Sequence, residues 1–237
     1  MTASLRRGPG LLAALACAAA TLTACSGSDG PTESPTATLA AAKESLDATS
    51  GVRIGLSTPE LPSGVSGLLS ASGIGTHPPA FAGDIKVSAS GVTADAEVVA
   101  VRGLVYAKLP FSSSFAPIDP AEYGAPDPAA LMRPAGGLSS LLTESTGVKR
   151  GEEVREGESV LRSFTAAVPG DAVAAVIPSA SPEASFDARF TIDDGDRLSK
   201  AVLSGPFYPR TDDVTYTITF AEYGTKRTIT APRATRR

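Results

Sequence analysis

The residues with the clearest chemistry are Leu22-Thr23-Ala24-Cys25, close to the N-terminus. A cysteine thiolate is a natural acceptor for a diacylglyceryl group, and the small residues at 23 and 24 give a peptidase access to the bond before Cys25. This order matches the bacterial lipobox, in which the cysteine carries lipid with fatty acyl chains such as palmitate and becomes the mature N-terminus. The alternative is an ordinary signal peptide with an incidental cysteine.

The preceding residues support export. Arg6 and Arg7 precede an apolar stretch from Leu11 to Ala20, the order of a secretory signal peptide. The apolar stretch is too short to cross a hydrocarbon core of roughly 30 Å. We therefore expect a signal peptide over residues 1–24 and a mature protein anchored through Cys25 to the outer face of the cell membrane.

Other residues with potential chemistry favour no catalytic site. His77 is the single histidine, the mature chain has no second cysteine, and no Gly-x-Ser-x-Gly motif is present. Because His77 precedes Pro78-Pro79, we interpret it as a turn or surface residue. The acidic run at Asp193, Asp194 and Asp196 lacks the distal glutamate of a calcium loop and fits a hairpin turn. The sequence predicts no enzyme activity, no metal and no cofactor.

Composition narrows the class of binding protein. Loss of residues 1–24 removes two arginines and no acids, which takes the formal net charge from −4 to −6 and argues against nucleic-acid binding. The chain lacks tryptophan, asparagine and glutamine, the aromatic and amide groups that sugar-binding modules use. Abundant alanine, glycine, proline and arginine suggest an actinobacterial genome.

Residue patterns predict the secondary-structure elements of the chain. Residues 25–37 are polar and read as a lipidated N-terminus with a flexible tether, and Leu39, Ala42 and Leu46 predict a helix over residues 38–49. Alternating apolar and polar residues then predict about eight to ten antiparallel strands. We expect hairpin turns between strands at residues 193–196 and 223–225. Alternation is clearest in three runs, residues 85–89, 186–192 and 214–220.

Shorter helical segments interrupt the strands. Asp127-Pro128 predicts a capped helical turn over residues 129–132, and Gly136-Gly137 precedes an apolar stripe at Leu138, Leu141 and Leu142. Another helix is predicted from about Asp171 to Pro178. One apolar sheet face with a few apolar helix stripes makes a two-layer α+β domain.

At this point the chain resembles the LppX/LprAFG family of actinobacterial envelope lipoproteins, over residues 38–232. The resemblance rests on the lipobox and on a series of segments in a characteristic order: Val92-Thr-Ala-Asp-Ala-Glu-Val-Val99, Gly103-Leu-Val-Tyr-Ala-Lys-Leu109, Pro126-Asp-Pro-Ala129, Gly136-Gly-Leu-Ser-Ser-Leu-Leu142, Gly170-Asp-Ala-Val173 and Asp193-Asp-Gly-Asp-Arg-Leu198. It implies a strongly curved antiparallel half-barrel sheet, with helices on its concave face enclosing an apolar cavity for acylated lipids or glycolipids. The family implies carriage of such lipids across the envelope and a membrane lipid transporter as partner. Phe111-Ser-Ser-Ser-Phe115 stands where members commonly carry a tryptophan.

The inward positions of the predicted strands are the candidates for lining this cavity: Ile85, Val87, Val99, Val101, Phe186, Phe190, Val214, Ile218 and Phe220. The small residues Ala89 and Ala188 would leave room beside them. Alternatively, these side chains form an ordinary core. Residues Gly136, Gly137, Leu138, Leu141 and Leu142 are a candidate lid, with a loop and a packed helix as the alternative.

Two readings of function besides a lipid carrier stay open. One is a structural or signalling envelope lipoprotein without cargo. The other is an esterase, against which the lone histidine and the missing nucleophile motif argue. Residues 233–237 form a basic tail that is either solvated or in contact with anionic headgroups.

Overall fold

The computed structural model describes residues 33–233 except 90, 124 and 158. The predicted signal peptide, Cys25, most of the predicted tether and all but the first residue of the basic tail therefore lie outside the described residues. No helix in residues 33–233 is both long enough and apolar enough to span a bilayer.

An antiparallel sheet of eleven strands dominates the described chain, slightly more than the eight to ten expected. The strand order is β6-β5-β4-β3-β2-β1-β11-β10-β9-β8-β7, and the sheet is not closed. The strands are β1 (Gly51–Ser57), β2 (Gly67–Thr76), β3 (Ala80–Ala89), β4 (Val92–Val101), β5 (Leu104–Lys108), β6 (Ala116–Ile118), β7 (Thr146–Glu156), β8 (Ser159–Pro169), β9 (Ser185–Ile192), β10 (Leu198–Gly205) and β11 (Val214–Ala221).

The helices are few and short. They are α1 (Pro35–Ala48), α2 (Ser140–Glu144) and α3 (Gly170–Val176), with 3₁₀ turns at Pro120–Tyr123 and Ala130–Met132. Helix α1 packs against β7, β10 and α2, while α3 packs against β8 and β9. Their buried side chains join those of the sheet in one apolar cluster that contains Leu39, Leu141, Val173 and Phe164.

Helix α1 begins earlier than expected. Ser34 caps it by accepting a hydrogen bond from the backbone N–H of Ala37, and Pro35 occupies its first turn. The last three residues of the predicted tether, 35–37, are therefore helical, and that part of the tether prediction is wrong. The predicted positions Leu39, Ala42 and Leu46 are buried.

The two predicted hairpin turns have different outcomes. Asp193 is confirmed in a turn between β9 and β10, where its Oδ1 accepts hydrogen bonds from the backbone N–H groups of Gly195 and Arg197. Residues 223–225 do form a turn, but no strand follows it in the described chain. Instead, the backbone N–H groups of Gly224 and Thr225 donate to the carbonyl of Gly51, which ties the C-terminal segment to the start of β1.

One connection crosses the sheet. Every pair of neighbouring strands except β1–β11 joins strands that follow one another in the chain. Strands β6 and β7 also follow one another but lie at opposite edges, so residues 119–145 must pass from one edge to the other. This crossover contains both 3₁₀ turns and α2, and it covers part of one sheet face.

Candidate functional site: a covered apolar sheet face

The strand register defines a continuous apolar face. Side chains of residues directly opposite each other in an antiparallel pair lie on the same side of the sheet. One row across five strands therefore places Phe220, Ile54, Gly73, Gly83 and Val98 on one face. Strand β11 and its neighbours β10, β9 and β8 continue this face with a set of buried residues: Ile218, Tyr216, Ala201, Leu203, Phe190, Phe186, Phe164 and Val168.

Glycines make room on this face for larger side chains. A β carbon on Gly75 would lie 2.5 Å from the sulfur of Met132, and one on Gly73 would lie 2.5 Å from Cζ of Phe81. These distances are shorter than any normal contact. Met132 and Phe81 thus fill the hollows that the two glycines leave. In the sequence, this packing is indicated by the two glycines at alternate positions in β2. A glycine inside a strand often marks a place where another group packs closely against the backbone.

Residues 129–144 of the crossover form what we call the cover segment. Its entrance is capped by Asp127, whose carboxylate accepts a hydrogen bond from the backbone N–H of Ala129. Within it, the N–H of Leu138 donates to the carbonyl of Leu131 at 2.9 Å, which folds the segment back on itself. The leucines of the predicted stripe, Leu138, Leu141 and Leu142, are all buried in the main core.

The two glycines of the predicted lid have separate structural roles. Gly136 has φ +68°, a backbone conformation that favours glycine. A β carbon on Gly137 would collide with the carbonyl oxygens of Arg133 and Leu131. The pair therefore shapes a tight bend in the cover segment.

Polar contacts attach the cover segment to α1. Lys43 donates to the carbonyl of Pro134 at 2.7 Å, and the hydroxyl of Ser139 donates to Oδ1 of Asp47 at 2.6 Å. Lys43 also pairs with Asp47 one turn along the same helix. The cover segment thus combines an apolar underside with polar attachments at its rim.

Beyond the cover segment the apolar face is less shielded. Leu56, Ala71 and Ile85 form a row on the same face, and Val87 lies one step further along β3. All four are only half-buried. Half-buried apolar side chains next to a buried apolar region form a surface onto which further apolar groups can pack.

A pair of tyrosines borders this less shielded region. The hydroxyl of Tyr216 donates to the carbonyl of Leu68 at 3.0 Å, so the hydroxyl of Tyr208 donates to Tyr216 at 2.8 Å. Burial, and then the hydrogen bond with Tyr208, raises the pKa of Tyr216 well above its ordinary value. The pair is a neutral polar group that links β11 to β2 within an apolar surface.

The nine residues predicted to line the cavity lie in three different environments. Phe186, Phe190, Val214, Ile218 and Phe220 are buried in the main core. Ile85 and Val87 lie on the apolar face. Val99 and Val101 pair with Ala82 and Ala80, whose side chains lie on the opposite face. The expectation that all nine share one face is therefore wrong for Val99 and Val101, and the β4 residues that do face inward are Ala96, Val98 and Ala100.

Two depressions lie on opposite faces of the sheet. One is a crevice under the cover segment between Leu46, Met132 and Phe220, which has no room for a water molecule. The other has a volume of about 250 Å³ and lies on the opposite face near Arg53, Asp84, Glu97 and Phe115. Under the cover segment, side chains therefore fill the apolar face.

The residues considered for catalysis or metal binding make contacts with other parts of the fold. His77 lies in the turn between β2 and β3 and is half-buried, with both ring nitrogens close to backbone carbonyls. Asp196 pairs with Arg162 at 2.6 Å. Among the described residues, no group of three or more histidine, cysteine or acidic side chains is arranged to hold a metal ion.

A large antiparallel sheet, apolar on one face and crossed by its own connecting segment, defines the class of fold. Two crystal structures share it. LprF from Mycobacterium bovis has a TM-score of 0.68 and 15% identity, covering 84% of this chain and 97% of that one. The Mycobacterium tuberculosis lipoprotein LppX has a TM-score of 0.60 and 13% identity, covering 83% and 98%.

The family model for the LppX_LprAFG lipoproteins matches residues 34–229. The chain belongs to this family, as the sequence motifs predicted. No curated protein sequence matches the chain. Membership in a lipoprotein family implies attachment to the cell envelope through lipid.

Proposed function

We propose that this protein is a lipid carrier that holds the acyl chains of a lipid or glycolipid against the apolar face of its sheet and carries them across the cell envelope. The observation that carries the proposal is the continuity of the apolar face: it runs from a buried region under the cover segment to a half-buried region at Leu56, Ala71, Ile85 and Val87. In the loaded state this face is the concave side of a curved sheet, and the helices on it enclose the cavity.

Acyl chains enter at the half-buried end and displace movable side chains. Met132 and Phe81 occupy the hollows over Gly75 and Gly73, and both side chains end in atoms that a rotamer change can swing away. The cover segment acts as the lid. Each buried methylene contributes about 0.8 kcal/mol, so a long chain compensates for displaced protein contacts without any directional recognition. Neither a cofactor nor a catalytic step is part of this function.

The lipid anchor on Cys25 determines where in the envelope the carrier is located. The first described residue, Glu33, accepts a hydrogen bond through its carbonyl from Arg150 on β7. Seven residues separate Glu33 from Cys25, so the eight steps between the two Cα atoms span at most about 29 Å. With Cys25 lipidated after removal of residues 1–24, the edge strand β7 stays close to the outer face of the cell membrane. A membrane lipid transporter is the partner that would supply or receive the cargo.

A second function is a structural or signalling lipoprotein without cargo. The filled hollows and the small crevice under the cover segment favour it. In that case Met132 and Phe81 are permanent core residues, and the protein acts through its surface.

Native mass spectrometry with lipid extraction distinguishes the lipid carrier from the lipoprotein without cargo. The test protein begins after Cys25, is made in an actinobacterial host and keeps every described residue. A stoichiometric adduct that yields a multi-acyl lipid supports the carrier. An unmodified mass, with no uptake of added glycolipid, refutes it and favours the cargo-free lipoprotein.

A further inference from the structure

Phe111 presents its whole side chain to solvent, with a relative exposure of 103%. It lies between β5 and β6, where the N–H of Ser112 donates to the carbonyl of Leu109 at 2.9 Å. This hydrogen bond closes a β-turn with Pro110 and Phe111 at its two central positions. Proline is common at the first of these positions, whereas the second usually carries a small or polar residue. Packing within the described chain therefore does not account for a phenylalanine there.

The loop that carries Phe111 has its own internal contacts. The hydroxyl of Ser112 donates to the carbonyl of Ser114 at 2.7 Å, and its oxygen accepts a hydrogen bond from the backbone N–H of Ser114. At the base of the loop, Nζ of Lys108 lies 6.0 Å from the centre of the Phe115 ring, which is half-buried. One aromatic residue of the loop thus lies against β5, while Phe111 projects from the turn.

Two more exposed apolar residues lie at the same end of the sheet. Leu109 follows β5 and is 57% exposed, and Val92 begins β4 and is 67% exposed. Val92 pairs with Ala89 at the end of β3, two residues beyond Val87 in the half-buried part of the apolar face. We call Val92, Leu109 and Phe111 the apolar rim. It lies at the end of the sheet where the apolar face is half-buried rather than covered.

Two ion pairs flank the apolar rim. Lys86 lies 3.1 Å from Asp95, and Lys108 lies 2.8 Å from Glu97. Bringing a charge close to a medium of low polarity is unfavourable, and a partner of opposite charge offsets part of this cost. The hairpin between β9 and β10, at the opposite end of the sheet, instead carries the acidic run at residues 193–196. The rim end is therefore the better suited of the two to contact an apolar medium.

We propose that the apolar rim inserts into the lipid surface of the membrane to which the protein is anchored. The register across the sheet places the start of β7 at the same end as the rim. Arg150, which binds the carbonyl of Glu33, is four residues, or about 13 Å, from that start. The stretch from Glu33 to Cys25 spans up to about 29 Å, long enough to bring this end onto the bilayer.

The contact depends on apolar burial rather than on charge. Without residues 1–24 the chain has a formal net charge of −6, which gives no general attraction to anionic headgroups. A phenylalanine and two aliphatic side chains gain free energy simply by leaving water. The purpose of the contact, entry of acyl chains from the bilayer onto the apolar face, rests on the proposed function. The contact itself requires no cargo.

Tryptophan fluorescence locates the rim, because the chain contains no tryptophan. Phe111→Trp places the probe on the rim, and Leu104→Trp, at the other end of β5 and 54% exposed, is the matched control. Both variants are placed as lipidated mature protein in vesicles of phosphatidylcholine with brominated acyl chains. We expect quenching and a blue-shifted emission for Phe111→Trp, and the emission of a solvated indole for Leu104→Trp. Equal quenching of the two variants, or none, would overturn the proposal.

Bound cargo also brings bromine close to the apolar face, so a second measurement distinguishes cargo from membrane. The soluble form that begins after Cys25 is incubated with the same brominated vesicles and then separated from them. Phe111→Trp should not be quenched in this form. Quenching as strong as in the vesicles would assign the signal to bound lipid and overturn the proposal. A soluble form that takes up no lipid would refute the lipid carrier, while the vesicle measurement would still decide on the rim.

Serine variants test the nature of the contact. Partition of the soluble form into phosphatidylcholine vesicles should fall about tenfold in Phe111→Ser, since the variant loses the burial of a large apolar side chain. Leu104→Ser should change it little. Added salt should also have little effect, because screening weakens attraction between charges and not apolar burial. Binding that salt abolishes, and that Phe111→Ser leaves unchanged, would show an electrostatic contact and overturn the proposal.

Discussion

The sulfur of Met132 lies 2.5 Å from the position that a β carbon on Gly75 would occupy. Because this neighbour is a flexible side chain, the contact can be relieved by moving Met132 rather than the sheet. The relationship between these two residues provides a direct test of whether the cover segment can be displaced.

Gly75→Ala should push Met132 out of its hollow and cost about 1–3 kcal/mol of unfolding free energy, as overpacking does. Met132→Ala alone should cost about 2–5 kcal/mol because it leaves a cavity. In the double variant the clash is gone, so the combined loss should be smaller than the sum, as measured by urea unfolding. Simple additivity would mean that the two side chains do not compete for space.

The two glycines of the bend should respond differently to alanine. At Gly136 a β carbon meets no atom within 4 Å, and only the positive φ is unfavourable, at a cost of about 1 kcal/mol. At Gly137 the β carbon meets two backbone carbonyls that cannot move independently. We expect Gly137→Ala to lower the urea midpoint clearly more than Gly136→Ala. The reverse order would show that the bend is not as tight as described.

Tyr216 should contribute to stability through its hydroxyl. In Tyr216→Phe the carbonyl of Leu68 and the hydroxyl of Tyr208 lose their shared partner, with an expected loss of about 1–3 kcal/mol at neutral pH. Tyr208→Phe should cost less, since the bond from Tyr216 to Leu68 remains.

Alkaline titration gives an independent check of the same hydroxyl. Because burial raises the pKa of Tyr216, its stabilising effect is complete below about pH 10, the ordinary tyrosine value, and is lost as pH rises above it. The unfolding free energy of the unsubstituted protein should therefore fall more steeply above pH 10 than that of Tyr216→Phe. If the two proteins lost unfolding free energy equally above pH 10, the Tyr216 hydroxyl would not be buried as described.

The pair of Arg53 and Glu222 should strengthen the attachment of the C-terminal segment at neutral pH. Two hydrogen bonds from Arg53, at 2.7 and 3.0 Å, lower the pKa of Glu222. A lowered carboxyl pKa stabilises the fold above about pH 4.3, the ordinary glutamate value, and this effect is lost as pH falls below it. Glu222→Gln should therefore speed exchange of the nearby Thr225 amide at pH 7 but not at pH 3. A difference that persists at pH 3 would exclude the ion pair as its cause.

A matched pair of valines tests which face of the sheet binds acyl chains. Val87 and Val99 are both half-buried, but they lie on opposite faces. Val87→Glu places a charge on the apolar face and should reduce the fraction of protein that retains lipid, as measured by native mass spectrometry. Val99→Glu is the control and should retain lipid like the unsubstituted protein, provided that circular dichroism shows both variants to be folded. Loss of lipid only in Val99→Glu would place the cargo on the other face.

Sequence patterns predicted β9 and β11 well because each strand has one buried face and one wet face. Phe186, Phe190 and Ile218 alternate with polar residues and are buried as expected. Such a pattern leaves no doubt about which side chains face inward.

In β4 the pattern is ambiguous for a physical reason. Val98 to Val101 are all apolar, and the opposite face is also shielded there, with Ile74 and Ala82 buried. Phe115 and Arg227, from segments distant in sequence, border the depression on that face. Only the strand register shows that Val98, and not Val99, faces the core.

The contacts of the cover segment could not be predicted from the sequence either. Lys43, Asp47 and His77 are ordinary surface-type residues in the sequence, and their partners Pro134, Ser139 and Met132 are 55 to 92 residues away. The crossover from β6 to β7 brings them together, and strand order cannot be read from alternation alone.

The single non-local strand pair has a consequence for how the chain folds. Strands β1–β6 and β7–β11 each form a meander of local hairpins, which close quickly because their loops are short. The ends of the two meanders meet only when β1 pairs with β11, across more than 150 residues. We expect this pairing to be the slow step of folding, with the two halves forming before it and the apolar face completed last.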